Sequence, residues 1–317
     1  MNRTKYWFSV SAVILLTCLC SCNQDKVYGD EMYKNSFALI SSDDYNIQTI
    51  EHDLDKAEAT GYVAVSCGGT LPTEKDIHII LREDMELFDR YNHYNFELES
   101  EYAKLVPPAN YSIDNFTFTL PAGKKGAKLP VRIRPEGLSP DSTYFISLKV
   151  DNFTEYEVNP DKADILYRPI IKNFWATQRT AVSYRFRAVH DGVNLLGSKR
   201  LFPLTHRQTR VTVGNLTAFT ADTASINTIS MIIDVEKAQG EKLLLGKKYP
   251  ATVKPYGRVT ILPPLTDDPE FANIFYIEFD GYKTYKTFLL NYRYQLPGSA
   301  DIHEAKEELR LEFMYEQ

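Results

Sequence analysis

Short runs of this chain place apolar residues at every second position, a spacing that makes one-sided strands and cannot make a one-sided helix. At the C-terminus Leu309, Leu311, Phe313 and Tyr315 alternate with Arg310, Glu312 and Glu316. Tyr184, Phe186 and Ala188 alternate with Arg185 and Arg187, and Phe116, Phe118 and Leu120 with Thr117 and Thr119. Tyr62–Val65, Ile77–Leu81, Tyr144–Val150 and Ile229–Val235 are apolar strand runs. One helix interrupts the series: Met85, Phe88 and Tyr91 recur at helical spacing up to about Tyr94, with Asp84 placed to cap. Breakers at Asn159-Pro160-Asp161 and Arg168-Pro169 mark a change of character. The expected fold is all-β: two tandem immunoglobulin-like β-sandwich domains, residues 36–155 and 175–317, joined by a linker over 156–174.

The first 21 residues do not fit that scheme. Arg3 and Lys5 precede an apolar run from Trp7 to Leu19, too short to span a bilayer comfortably. A basic start, a short apolar core and small residues before a cut form a secretory signal. Leu19-Cys20-Ser21-Cys22 resembles a lipobox, cleaved between Ser21 and Cys22, with Cys22 carrying the lipid. An ordinary signal peptide with incidental cysteines is the alternative. Two or three acyl chains hold a protein stably at a membrane. The polar stretch 22–35 then reads as a flexible tether. Asp25, Asp30 and Glu31 loosely resemble surface-export signals, so the expected location is the outer membrane, lipid-anchored and exposed at the cell surface. Of the four cysteines only Cys67 lies in the body of the protein, in an apolar stretch where a small buried strand residue is expected.

A net charge of -6 without a basic patch argues against nucleic acid as a partner. No phosphate-binding glycine loop and no Gly-x-Ser-x-Gly nucleophile elbow occurs. The histidines, at 52, 78, 93, 190, 206 and 303, are far apart in sequence and none has metal-ligand spacing with another. The acid pairs Asp43-Asp44 and Asp267-Asp268 read as loop residues. No catalytic residue, cofactor or metal is expected. A catalytic barrel takes about 250 residues, more than an N-terminal sandwich leaves. A glycosidase with an unfamiliar carboxylate pair stays open as a minor reading. Asp222-Thr223-Ala224 resembles a bacterial O-glycosylation triplet, with an exposed turn as the default.

Aromatic content is 13%, with 21 Tyr, which suits strands and also sugar-stacking surfaces. The clearest hairpin surrounds Asp280-Gly281. A two-residue turn there sets Phe279 opposite Tyr282 and Tyr276 opposite Tyr285. Phe275, Ile277 and Phe279 then face the core with Phe288, Leu290, Tyr292 and Tyr294. Tyr276 and Tyr285 fall on the other side, as a cross-strand stabiliser or a small aromatic platform. The glycan-binding candidates are Trp175, Tyr276, Tyr282 and Tyr285; for Trp175 a core or interdomain plug is the competing role.

Residues Ile77 to Val150 resemble the sandwich domain known as domain of unknown function 1735. The carriers are Leu81, Asp84, Leu87, Tyr91-Asn92, Tyr102 to Pro107, Tyr111, the Leu120-Pro121-Ala122-Gly123 turn, Leu138, Asp141 and Tyr144. The second half resembles its companion, domain of unknown function 4361, through Phe202-Pro203-Leu204, Val211 to Gly214, Asn273-Ile274-Phe275, Lys286 to Tyr294 and Glu307-Glu308-Leu309. Members commonly have His before the Pro-Leu where this chain has Phe202, so no polar role is carried over there. The resemblance implies a surface lipoprotein of a polysaccharide-utilisation system, beside an outer-membrane importer complex, binding glycan without cleaving it. A structural, adhesive or scaffolding lipoprotein with no ligand of its own is the alternative.

Overall fold

The computed structural model describes residues 35–42, 44–69, 71–180, 182–216 and 223–315. The expected signal peptide, Ser21, Cys22 and nearly all of the tether lie outside them, as do Asp222 and the side chains of Thr223 and Ala224. The described chain is mostly strand and forms two domains, as the period-two runs require.

The first domain packs two sheets face to face. One sheet orders β10 (Glu157–Val158), β1 (Ser36–Leu39), β3 (Ala59–Gly68), β8 (Gly126–Ile133) and β6 (Tyr111–Ser112). The other orders β2 (Ile47–Asp53), β11 (Asp164–Lys172), β9 (Tyr144–Phe153), β4 (Ile77–Glu83) and β7 (Thr117–Leu120), with β5 (Lys104–Leu105) parallel to β9. Phe37, Val63, Val65 and Val131 meet Ile77, Ile79, Leu148 and Tyr167 across the interface, all fully buried. On the outer side of the second sheet, α1 (Glu86–Asn95) lays Leu87 and Phe88 over Phe145 and Leu166. Strands β9 and β11 are therefore covered on both faces, which explains their unbroken apolar runs. Asp84 does not cap α1; it pairs with Arg82 at 2.6 Å. Cys67 lies on β3 as expected, but is half-buried.

Residues 156–174 are not a linker. Most of them form β10 and β11, and β11 pairs in parallel with β2 from Leu166 to Lys172. The antiparallel pairing of β11 with β9 ends at Tyr167, two residues before Pro169. The missing amide of that proline therefore falls beyond the β9 ladder.

The second domain is one antiparallel sheet wrapped around one core. Its strands are β12 (Val182–His190), β13 (Val193–Pro203), β14 (Gln208–Thr212), β15 (Ser230–Val235), β16 (Lys248–Pro255), β17 (Thr260–Leu262), β18 (Ile274–Phe279), β19 (Thr284–Gln295) and β20 (Ile302–Phe313). Neighbours pair in sequence order from β12 to β16, and then β16 pairs with β18. Strand β20 joins both β12 and β19, so the layers of the sandwich are hydrogen-bonded into a closed, barrel-like circuit. Closure removes the free sheet edges that an open sandwich exposes. A short helix, α2 (Thr223–Ile229), lies between β14 and β15; no sequence signal had indicated it.

Candidate functional site

Strand β11 delivers the chain to the second domain without slack. Asn173 Oδ1 accepts from the amides of Trp175 and Ala176, both at 3.0 Å, and its Nδ2 donates to the carbonyls of Thr205 and Gln208. Gln178 donates to the carbonyls of Pro140 and Ser142 at 3.0 and 3.2 Å. Across the seam Arg210, 2% exposed, forms a two-pronged salt bridge with Asp141. Lys237 pairs with Asp55, and Gln239 donates to the Leu54 carbonyl. The two domains are latched at several separated points.

Between them lies an open groove of about 810 Å³. The first domain lines it with Glu51, Asp53 and Asp55 from the end of β2 and the turn after it. The second lines it with Phe174, Lys286, Phe313 and Tyr315. These aromatics are half-buried, and Phe313 meets Phe174 and Tyr315 edge to face at 5.7 and 6.1 Å. The Lys286 ammonium sits 4.1 Å from the Phe174 ring centre and 4.7 Å from that of Phe313, and donates to the Phe174 carbonyl. Burial pulls its pKa down to about 8. Glu51 is desolvated, yet its carboxyl stays below the ordinary range because Thr177 and Lys172 hydrogen-bond to it. Asp53 caps the Asp55 amide at 2.9 Å and Asp55 holds Lys237. Each carboxylate has its own donor, so the groove offers ring faces and fixed charges rather than a pair sharing one proton. Such a surface suits a polar ligand with apolar faces.

The sequence candidates fall on different surfaces. Trp175 is 1% exposed, stacked edge-on against Phe275 at 5.6 Å in the barrel core. Its indole cannot offer a ring face to a sugar; it plugs the barrel beneath the groove. At the hairpin, Phe279 pairs with Thr284, Glu278 with Tyr285 and Tyr276 with Thr287, two residues away from the expected register. Asp280 causes the shift: its carboxylate accepts from the amides of Tyr282 and Lys283 at 3.0 and 2.9 Å, widening the loop. Phe279, expected in the core, is 57% exposed at the end of its strand. Tyr285 carries the Arg310 guanidinium 3.6 Å above its ring, and Arg310 also pairs with Glu278. Tyr276 is half-buried, and burial with the nearby Glu278 and Glu308 charges pushes its phenol up to about 12. Tyr282, 93% exposed at the tip, is the candidate whose ring is freely presented. The groove uses the opposite face of the same strands, through Lys286 and Phe313.

One cluster was invisible to sequence spacing. His190, Asp191 and His303 each bring a ligand-type atom within 4.8 Å of the others. The pairing of His190 with Ala305 across β12 and β20 joins positions more than a hundred residues apart. Sequence spacing gives none of the histidines a ligand partner; the fold brings His190 and His303 together, with ring centres 5.5 Å apart. The local signal that could have helped is Asp191-Gly192, a hairpin turn with φ of +49° and +79°.

Two family models match end to end: one for an N-terminal domain over residues 28–157, and one for the corresponding C-terminal domain over residues 163–310. No curated protein matches the sequence. Solved structures share the fold at low identity. A protein of unknown function from Bacteroides ovatus is 18% identical with a TM-score of 0.58, covering 88% of this chain and 91% of its own. A multidomain protein including domain of unknown function 1735, also from Bacteroides ovatus, is 13% identical with a TM-score of 0.55, covering 88% and 95%. An auxiliary nutrient binding protein from Bacteroides thetaiotaomicron is 13% identical with a TM-score of 0.54, covering 86% and 94%.

Proposed function

We propose that this chain is a non-catalytic glycan-binding lipoprotein of a polysaccharide-utilisation system, anchored through lipid on Cys22 to the outer membrane and exposed at the cell surface. The observation that carries the reading is the latched groove, with the rings of Phe174, Phe313 and Tyr315 beside fixed carboxylates and the Lys286 ammonium. Sugar rings pack their apolar faces on such aromatics while their hydroxyls bond to the charged rim. At about 810 Å³ the groove has room for a short run of sugars rather than a single ring. The nutrient-binding description of one fold relative agrees with this use. Tyr282, exposed at the hairpin tip and outside the lining of the groove, is a second stacking ring, and the outer-membrane importer complex receives the ligand.

Affinity electrophoresis of the mature chain against a panel of host and plant glycans tests the assignment. Retardation on at least one glycan, lost in Phe313→Ala and Tyr315→Ala and weakened in Tyr282→Ala, is expected. Migration unaffected by every glycan, or retardation indifferent to the groove variants, refutes it. Radiolabelled palmitate should enter the wild type and not Cys22→Ala; an unlabelled wild type removes the anchor. A scaffolding role has one observation in its favour: Val189, Val193 and Leu196 are exposed by 42%, 59% and 81% along the β12–β13 hairpin. A stoichiometric partner that protects this hairpin, with no glycan bound, would select that role instead.

A further inference from the structure

The far end of the barrel carries a set of groups that the glycan reading does not use. Lys286, in the groove, and Tyr294, beside His190, are both on β19, about 27 Å apart at about 3.4 Å per residue. Around Tyr294 three side chains converge, His190 from β12, His303 from β20 and Asp191 from the turn after β12. His303 Nδ1 lies 2.7 Å from Asp191 Oδ2, and His190 Nδ1 lies 3.7 Å from the same oxygen. One ligand-type atom of each residue is within 4.8 Å of the others. The two imidazole rings stack with centres 5.5 Å apart and planes inclined by 21°. Both histidines are half-buried and Asp191 is exposed on the turn.

We propose that His190, Asp191 and His303 form a binding site for a divalent transition-metal ion of the zinc class. Two imidazole nitrogens and one carboxylate oxygen are a donor set of the kind that selects zinc, cobalt or nickel over calcium or magnesium. Donors held at about 2.0–2.2 Å from one tetrahedral ion stand about 3.3–3.6 Å apart. The 3.7 Å between His190 Nδ1 and Asp191 Oδ2 is already close to that, and the 2.7 Å contact between His303 and Asp191 opens as the ion takes the place of the proton between them.

The surrounding contacts favour ligation over a plain hydrogen-bonded stack. A ligating histidine is held through its second nitrogen, and a ligating carboxylate through its second oxygen. His190 Nε2 bonds to the Tyr294 hydroxyl at 2.8 Å, leaving Nδ1 turned towards Asp191. Asp191 Oδ1 accepts from the Glu304 amide at 2.8 Å, leaving Oδ2 for the ion. Gly214 keeps the packing open, because a Cβ there would come within 2.3 Å of the Tyr294 hydroxyl and 2.9 Å of His190 Nε2. Three protein donors leave positions for water or a ligand oxygen.

Titration of the chelator-free full chain with Co²⁺, followed by visible absorption, and with Zn²⁺, followed by calorimetry, tests the site. One ion per chain is expected, with affinity falling at least tenfold in His303→Ala and in Asp191→Asn. The second variant keeps shape and acceptor, so it answers even if the first disturbs the end of the barrel. His78→Ala, on the exposed face of β4 in the other domain, should bind as the wild type does. A wild type that binds no ion, or binding unchanged in both site variants, overturns the proposal.

Discussion

The barrel encloses an ion pair whose removal should be costly in a specific pattern. Lys199 is 4% exposed and Glu307 is fully buried. The ammonium lies 2.8 Å from both carboxylate oxygens, 2.9 Å from the Thr212 carbonyl and 4.4 Å from the Phe186 ring centre. The Tyr292 hydroxyl donates to Glu307 at 2.6 Å. Burial pulls the Lys199 amine below its ordinary pKa, against the pull of Glu307, and burial with the same carboxylate pushes the Tyr292 phenol up. Glu307→Gln removes the countercharge and leaves the ammonium among neutral groups: the new amide oxygen, the Thr212 carbonyl and a ring face. Lys199→Met leaves the carboxylate with only a phenol. Stranding one charge of a buried pair costs about 3–5 kcal/mol. The double variant strands no charge and loses mainly the partner of the Thr212 carbonyl, about 1–3 kcal/mol. It should therefore be more stable than either single variant. Urea unfolding of the chain without residues 1–21, followed by the fluorescence of Trp175, measures this directly, because that chain has no other tryptophan. A single variant within 1 kcal/mol of wild type, or a double variant as unstable as the two losses added, would refute the account.

Three further perturbations follow from single contacts. His52 is 1% exposed with its Nε2 2.9 Å from the Tyr167 hydroxyl, and burial lowers its pKa to about 4. The unfolded chain, near 6.5, takes up the proton first, so stability present above about pH 6.5 should fall towards pH 4 by up to roughly 3 kcal/mol; His52→Gln should flatten that slope in a pH series of urea midpoints. Gly61 faces the same Tyr167 hydroxyl, and a Cβ would approach it to 1.9 Å, so Gly61→Ala should cost about 1–3 kcal/mol by overpacking, read as a lowered Tm. Lys286 carries a lowered pKa of about 8, so the folded state disfavours its charge at neutral pH and is relieved as pH rises through 8 towards 10.4. Lys286→Met should accordingly raise the urea midpoint at pH 7 and leave it unchanged near pH 10.5; a gain equal at both would show that the ammonium bears no burial cost.

What could be read from the sequence was the face each residue takes, and this follows from strand geometry. The hairpin shows the reason. Its register is two residues from the expected one, yet Phe275, Ile277, Phe288, Leu290 and Tyr292 are all buried. A slip of two preserves the side of every residue, whereas a slip of one would have inverted it. The turn itself depended on where the Asp280 carboxylate points, which composition does not encode. Residues 156–174 failed differently. Proline ordinarily breaks a ladder, but Pro169 stands where the ladder to β9 has already ended. Barrel closure and the histidine cluster depended on which second partner β20 takes, a choice made across more than a hundred residues. Trp175 follows the last strand of the first domain's sheet by three residues, and its indole turns into the barrel where the Asn173 side chain holds the amides of Trp175 and Ala176.

The placement of β11 gives the groove its character. The N-terminal family model ends at residue 157 and the C-terminal one begins at 163, so β11 falls with the second domain by sequence pattern. Its hydrogen bonds nevertheless belong to the first domain's sheet, between β2 and β9. A strand owned by one pattern and paired in the other leaves no free segment about which the domains could swing. The carboxylates of Glu51 and Asp53 lie on β2, directly beside that strand, and the Phe174 ring follows it by two residues. Both walls of the groove are therefore measured from one rigid element. A surface fixed in this way loses little conformational freedom on binding, which is what the proposed sugar ligand would require. It also explains why the polar groups along the groove are already paired within the protein: they hold its shape before any ligand arrives.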